Sequence, residues 1–213
     1  MVNKSKGQEV KSDKTNRQEQ IVEAALRRFS HFGIAKTSLT EVADDLALSK
    51  QSLSYYFPDK QSLVNAVVEK LTIEYGNLLR KEMQAAVSIE LALLKLTQVK
   101  ASFFETYFML AIHSEHLEIA SKQSCTNWRK FLTDDESGLL TILFERGMVT
   151  GELKVLDARK TAELFLETLY AFSRCIKEKG SVPDPHAFRE LLNKQQEVIK
   201  IFYQGLKAET WAH

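Results

Sequence analysis

The sequence predicts an all-α fold, and three observations carry that prediction. No proline stands between Pro58 and Pro183, so the usual helix breaker is missing from the interior of the chain. Alternating β-branched runs are sparse, and apolar residues instead recur by threes and fours, the period of a helix packed along one face.

Composition bounds what such a fold can do. The 213 residues are 44% hydrophobic and 27% charged, ordinary values for a globular chain of one or two domains. A net charge of +1 exerts no global pull on nucleic acid, so any such contact requires a local concentration of charge. Cys125 and Cys175, the two cysteines present, form no framework or C-x-x-C motif and read as core thiols of a reducing compartment. The polar start carries no signal-peptide core and no later run is apolar enough to span a bilayer, so a cytoplasmic protein without membrane contact is expected.

Residues 1–16 are polar and without periodicity. Lys4, Lys6, Lys11, Lys14 and Arg17 outnumber Glu9 and Asp13, so the segment is expected to be a flexible basic arm, either a solvated tail or a contact to the minor groove or phosphates. Ile21, Ala25 and Phe29, with Val22 and Leu26 beside them, form the apolar stripe of a first helix. Gly33, free to take a left-handed backbone, ends it. Ser38 to Glu41 has capping-box spacing, and Leu39, Val42, Ala43 and Leu46 give a short second helix. Ser49 is the next N-cap, Leu53 and Phe57 lie on one face, and Phe57-Pro58 closes a short third helix.

Asp59 caps a fourth helix, with Leu63, Ala66, Val67 and Leu71 inward and an exit beyond Leu79. Ile89, Leu93, Leu96, Val99, Phe103, Tyr107 and Leu110 outline a helix of about six turns. Further helices are expected near 115–124, 127–146, 157–179 and 186–207, parted by the glycine-bearing segments 147–151 and 180–185. The domains follow: an arm over 1–16, a helix-turn-helix head over 17–60, and a helical body over 61–213.

A helix-turn-helix holds one helix outward toward the major groove. With Leu53 and Phe57 facing the core, Gln51, Ser54 and Tyr55 point away, Ser52 is flanking, and Lys50 lies in the exposed first turn. Lys50 suits guanine O6 or N7, Gln51 suits adenine, and the hydroxyls of Ser52 and Ser54 suit either. Thr37, Ser38, Tyr55, Tyr56 and Lys60 are placed for phosphate contact. Read structurally instead, Tyr56 is a core-edge aromatic and the serines are caps.

The runs Thr37-Ser38-Leu39-Thr40-Glu41-Val42-Ala43 and Leu48-Ser49-Lys50-Gln51-Ser52-Leu53-Ser54-Tyr55-Tyr56-Phe57-Pro58-Asp59-Lys60-Gln61-Ser62-Leu63 resemble the N-terminal domain of TetR-family repressors. That resemblance implies an α-helical homodimer bound to a palindromic operator of double-stranded DNA, with a ligand-binding body. Its DNA contacts fall on Ser38, Thr40, Lys50, Gln51, Ser52, Ser54, Tyr55, Tyr56 and Lys60. Two positions depart from the family pattern. Ser54 replaces a larger aromatic, and Ala47 replaces the glycine of the turn, so the backbone at Ala47 is expected to stay in the ordinary helical region, a left-handed alanine costing about 1 kcal/mol or more.

In the body, Phe103, Phe104, Tyr107, Phe108, Trp128, Phe131 and Tyr170 are candidates for the lining of an apolar pocket, each also explicable as core. The last two helices are apolar over more than one stripe. Leu166, Leu169, Tyr170, Leu191, Leu192, Val198, Ile199 and Phe202 are the candidate dimer interface. His113 and His116 read as solvated helix-end histidines rather than metal ligands, and no catalytic motif, cofactor loop or metal site is expected. The reading is a transcriptional regulator, not an enzyme: a repressor released from its operator by a small, largely apolar effector. A DNA-binding protein whose body docks a protein partner is the alternative.

Overall fold

The structure, a computed structural model, describes residues 3–107, 124–177 and 185–208, with side chains over 14–103, 105–107, 135–171 and 189–208. Its elements are α1 (Asn3–Phe32), α2 (Leu39–Asp45), α3 (Lys50–Tyr56), α4 (Lys60–Ala85), α5 (Ile89–Thr106), α6 (Ser124–Val149), α7 (Ala158–Lys177) and α8 (Pro185–Leu206). The fold is all-α, as expected. One antiparallel bridge, Leu153 to Lys207, joins the loop after α6 to the end of α8. The helix expected near 115–124, Leu110, Phe108 and the two histidines of 113–116 lie outside the described residues.

The chain divides into two compact units, among the described residues 3–72 with 106–107 and 124–126 in the first, and 73–105 with 127–177 and 185–208 in the second. In the first, Ile21, Ala25, Phe29, Val42, Ala43, Leu53, Leu63 and Val67 are almost wholly buried. Arg28 of α1 holds Asp45 of α2 through both carboxylate oxygens, one at 2.8 Å, and Lys70 of α4 pairs with Glu23 at 2.8 Å. The head therefore reaches past residue 60, because the first turns of α4 carry buried Leu63, Val64 and Val67.

α1 begins at Asn3, so residues 3–16 are helical where the sequence predicts an arm without periodicity. A polar segment free of proline, with four lysines among its fourteen residues, extends a helix already nucleated by the packed stripe from Ile21 to Phe29. Gly33 terminates it at φ 80°.

The expectation for Ala47 fails: its φ is 53°. At the end of α2 the Leu48 amide donates to the Ala43 carbonyl at 2.9 Å and the Ala47 amide to Asp44 at 3.1 Å. That paired closure requires a left-handed residue at position 47, and the two bonds offset the strain that a Cβ brings. Ala47→Gly is accordingly expected to raise stability by about 0.5 to 1 kcal/mol, strain relief less the added entropy of glycine in the unfolded chain. A urea midpoint that stays in place or falls contradicts this.

The second unit holds the larger core, with Leu79, Ile89, Leu93, Leu96, Leu140, Phe144, Phe165 and Leu166 essentially inaccessible. α7 packs on α8. At Gly147 of α6 a Cβ would stand 2.7 Å from Leu153 Cγ, so the last turn of α6 lies directly against the loop that follows it. Glu152 accepts from the Ile89 amide at 2.8 Å and from the Tyr203 hydroxyl at 3.0 Å, fastening α5 and α8 to that loop.

This core also contains one polar cluster. Glu136 of α6, 2% exposed, accepts from Tyr75 of α4, from Lys100 of α5 at 2.7 Å and from Tyr170 of α7 at 2.6 Å. The Lys100 ammonium also lies 4.4 Å from the centre of the Tyr170 ring. A single carboxylate thus ties four helices together.

Candidate nucleic-acid interface

The seven-residue α3 is positioned by its ends and by one face. Ser49 caps it, its hydroxyl accepting from the Ser52 amide at 3.0 Å, and Leu53 at 0% exposure anchors it to the core with Phe57 just beyond. At α2 the capping box is complete: the Ser38 hydroxyl accepts from the Glu41 amide while the Glu41 carboxylate accepts from the Ser38 amide at 2.7 Å. Those hydrogen bonds from Ser38 lower the Glu41 pKa, with a smaller contribution from Arg28. Asp59 accepts from the Ser62 amide at 2.7 Å and so starts α4.

With its buried face fixed, α3 presents Lys50, Gln51, Ser52 and Tyr55 to solvent, Ser54 and Tyr56 half-buried beside them. Tyr55 is 69% exposed, and its ring meets that of Tyr56 edge to face at 5.2 Å. At about 10 Å, α3 nearly matches the roughly 12 Å width of the major groove. Ser52 is partly committed, its hydroxyl 2.8 Å from that of Ser49, as the capping reading of the serines anticipates.

Beside the start of α3 lies an open cleft of about 350 Å³ lined by Ala35, Lys36, Thr37, Ser38, Leu39, Thr40, Lys50 and Lys60. Three lysines line this cleft, and ammonium groups suit a phosphate, whose charge they neutralise and whose oxygens accept their hydrogen bonds. Lys60 donates to the Ala35 carbonyl at 3.4 Å, and burial lowers its pKa, Glu41 partly countering the effect. Thr37 is a structural element of this wall: it is 3% exposed and donates to the Gly33 carbonyl at 3.0 Å. Thr40 is exposed. Lys36 is the addition that sequence reasoning missed. Its signal is a lysine two residues before an N-cap serine, adjacent to the capped helix start.

The body candidates separate differently. Leu166, Leu169 and Ile199 are 2%, 2% and 0% exposed within the single chain, so those three are core and cannot form an outer contact face. A helix apolar over two stripes uses one inward, and the sequence does not mark which. Leu191, Leu192, Val198 and Phe202 are half-buried, and among the described residues the large apolar side chains of α7 and α8 that point outward are Leu164 at 57% and Ile201 at 73%. Of the pocket candidates, Phe103 packs on the Tyr75 ring at 5.3 Å, Tyr107 is half-buried, and Tyr170 belongs to the Glu136 cluster. The side chains of Phe104, Trp128 and Phe131 lie outside the described residues. Among the described residues no group of His, Cys, Asp or Glu could hold a metal ion, and no helix is long and apolar enough to cross a membrane.

Comparisons with known proteins agree with this geometry. Residues 21–67 match the family described as bacterial regulatory proteins, tetR family. The HTH-type transcriptional regulator RutR of Escherichia coli K12 is 30% identical over 145 residues, covering 67% of this chain and 57% of that one. The chain thus spans little more than half the length of that relative. A transcriptional regulator from Cytophaga hutchinsonii has a similar fold, with a TM-score of 0.82 at 22% identity over 90% of this chain and 99% of that one. A regulator from Saccharomonospora viridis, solved in complex with choline, has a TM-score of 0.66 at 12% identity over 87% and 96% of the two chains. With its capped helix-turn-helix inside the matched residues, the chain belongs to the TetR family of bacterial regulatory proteins.

Proposed function

We propose that this chain is a sequence-specific DNA-binding regulator that acts as a homodimer on a palindromic operator and is released by a small, largely apolar effector held in its body. The observation that carries the reading is the outward face of α3, Lys50, Gln51, Ser54 and Tyr55, set beside the cleft of Lys36, Lys50 and Lys60. Gln51 and Lys50 read base edges, and the cleft holds a backbone phosphate. Exposed Leu164 and Ile201 on α7 and α8, with Leu191, Leu192, Val198 and Phe202 at the flank, support pairing around a twofold axis. Pairing places two recognition helices about one DNA turn apart. An effector shifts that spacing only if it binds one spacing better than the other. Half-buried Phe103 and Tyr170, both in the second unit, support an aromatic lining for it, and the choline bound by the Saccharomonospora viridis regulator is a precedent for a small guest in this fold.

The test is binding to duplexes that the protein selects from a random pool, followed by fluorescence anisotropy. Affinity should fall steeply with salt. Lys60→Ala should weaken all duplexes alike, whereas Gln51→Ala should lose discrimination at one base pair per half-site, about 1 to 3 kcal/mol. Selection of no sequence by the wild-type protein, or equal binding by all three, removes the reading.

A further inference from the structure

The head carries cations that the cleft does not use. Lys14 and Arg17, both exposed, lie three residues apart on α1 and so on one face of it. The Lys14 ammonium sits 4.9 Å from the centre of the Tyr55 ring, a cation–π contact that brings the N-terminal part of α1 against the outward face of α3. Tyr55 nevertheless stays 69% exposed, so the contact leaves that face open.

Position along α3 gives this contact its meaning. Lys50, in the cleft with Lys36 and Lys60, is at the first residue of α3, whereas Tyr55 is five residues on, about 7.5 Å along the axis. Cations therefore stand at both ends of a helix nearly as long as the major groove is wide, where the two phosphate strands bound the groove. Arg17 donates one bond to Gln20 at 3.0 Å, which leaves most of its five donors for other acceptors. With a net charge of only +1, local placement of this kind is what decides affinity for a polyanion.

We propose that the N-terminal turns of α1 are a second DNA-contacting element, in which Lys14, held by the Tyr55 ring, and Arg17 engage backbone phosphates on the side of α3 opposite the lysine cleft. This rests on the reading of α3 as the recognition helix. Contact to the backbone, not insertion into the minor groove, follows from the helical state of the segment: a helix is about 10 to 12 Å across and the minor groove about 6 Å wide.

The test uses the full chain and the labelled duplex it selects from a random pool, titrated with KCl from 50 to 300 mM. Lys14→Ala with Arg17→Ala removes four phosphate contacts per bound dimer, so it should lower the slope of log affinity against log salt by about 3.6, about 0.9 for each contact, and weaken binding at least about tenfold at 150 mM. Lys14→Arg should retain the slope, Tyr55→Leu should lose the share due to Lys14 while Tyr55→Phe keeps it, and Lys154→Ala in the body should change nothing. The preference among single-base variants of the duplex should be the same in every one of these proteins except the two Tyr55 variants. An unchanged slope in the double variant overturns the proposal, as does a changed preference for A·T pairs flanking the site, the mark of an arm in the minor groove. Failure of the recognition-helix reading would look different: the wild-type protein would select no duplex at all.

Discussion

Removing the Glu136 carboxylate by Glu136→Ala is expected to destabilise the body by about 3 kcal/mol. Loss of one partner of a buried ion pair costs about 3 to 5 kcal/mol because the other charge is left without compensation. The lower end applies here, since the Lys100 side chain is 28% exposed and recovers some hydration. The hydroxyls of Tyr75 and Tyr170 lose their acceptor as well, and Tyr75 has little access to water in its place. Glu136→Leu combined with Lys100→Met should cost far less than the sum of the single changes, because an apolar pair of similar size leaves no charge stranded.

The same cluster sets a dependence on pH. Burial, then the charge of Glu136, lifts the Tyr75 pKa well above the ordinary 10.0. For Lys100, burial acts against the charge, but Glu136 and Tyr170 outweigh it and leave the pKa above the ordinary 10.5. Both groups hold their protons more tightly folded than unfolded, so their contribution is complete below about pH 10 and declines as pH rises past the unfolded values. Urea unfolding of the wild type at pH 8 and 10.5 should show that decline, and Glu136→Ala should show a smaller one. Equal stability of Glu136→Ala and wild type at pH 8 contradicts the role assigned to the carboxylate.

Why this cluster escapes a reading of the sequence is a matter of distance along the chain. Glu136 ends the run Asp134-Asp135-Glu136, which reads as a solvated face, and its partners Tyr75, Lys100 and Tyr170 lie on three other helices. The features that were legible are local ones. Ser38 with Glu41, Ser49, Asp59 and Gly33 each act within four residues of themselves, so spacing alone predicts them. Ala47 shows the limit of that logic: propensity disfavours its left-handed backbone, but the closing bonds of α2 outweigh propensity. Leu166, Leu169 and Ile199 show another, because periodicity finds an apolar stripe without saying whether the stripe faces the core or a partner. On the interface, the outward residues of α3 were deducible from Leu53 and Phe57. Lys36 and the approach of Lys14 to Tyr55 depend on how α1, α2, α3 and α4 pack, which no local pattern encodes.

Substituting Leu53 by alanine is the second change expected to have a large effect, and it leaves the solvent-facing residues of α3 untouched. An isolated helix needs about 12 to 15 residues to persist in water, and α3 has seven. Its order therefore comes from outside: from the Ser49 cap, typically about 1 kcal/mol, and above all from Leu53, which is 0% exposed. Leu→Ala at such a site costs about 2 to 5 kcal/mol in lost transfer energy and cavity, a large share of the stability of a small unit. Amide protection across Lys50–Tyr56 should collapse toward that of an unfolded peptide, and affinity for the selected duplex should fall with it. The amides of Leu93, Leu140 and Phe165, in the core of the other unit, should keep their protection at mild temperature. Ser54→Ala supplies the contrast, expected to shift stability by less than about 0.5 kcal/mol while altering duplex preference. Undiminished affinity in Leu53→Ala would mean that α3 does not need its buried anchor to present Lys50, Gln51 and Tyr55, and the link from core packing to recognition would break there.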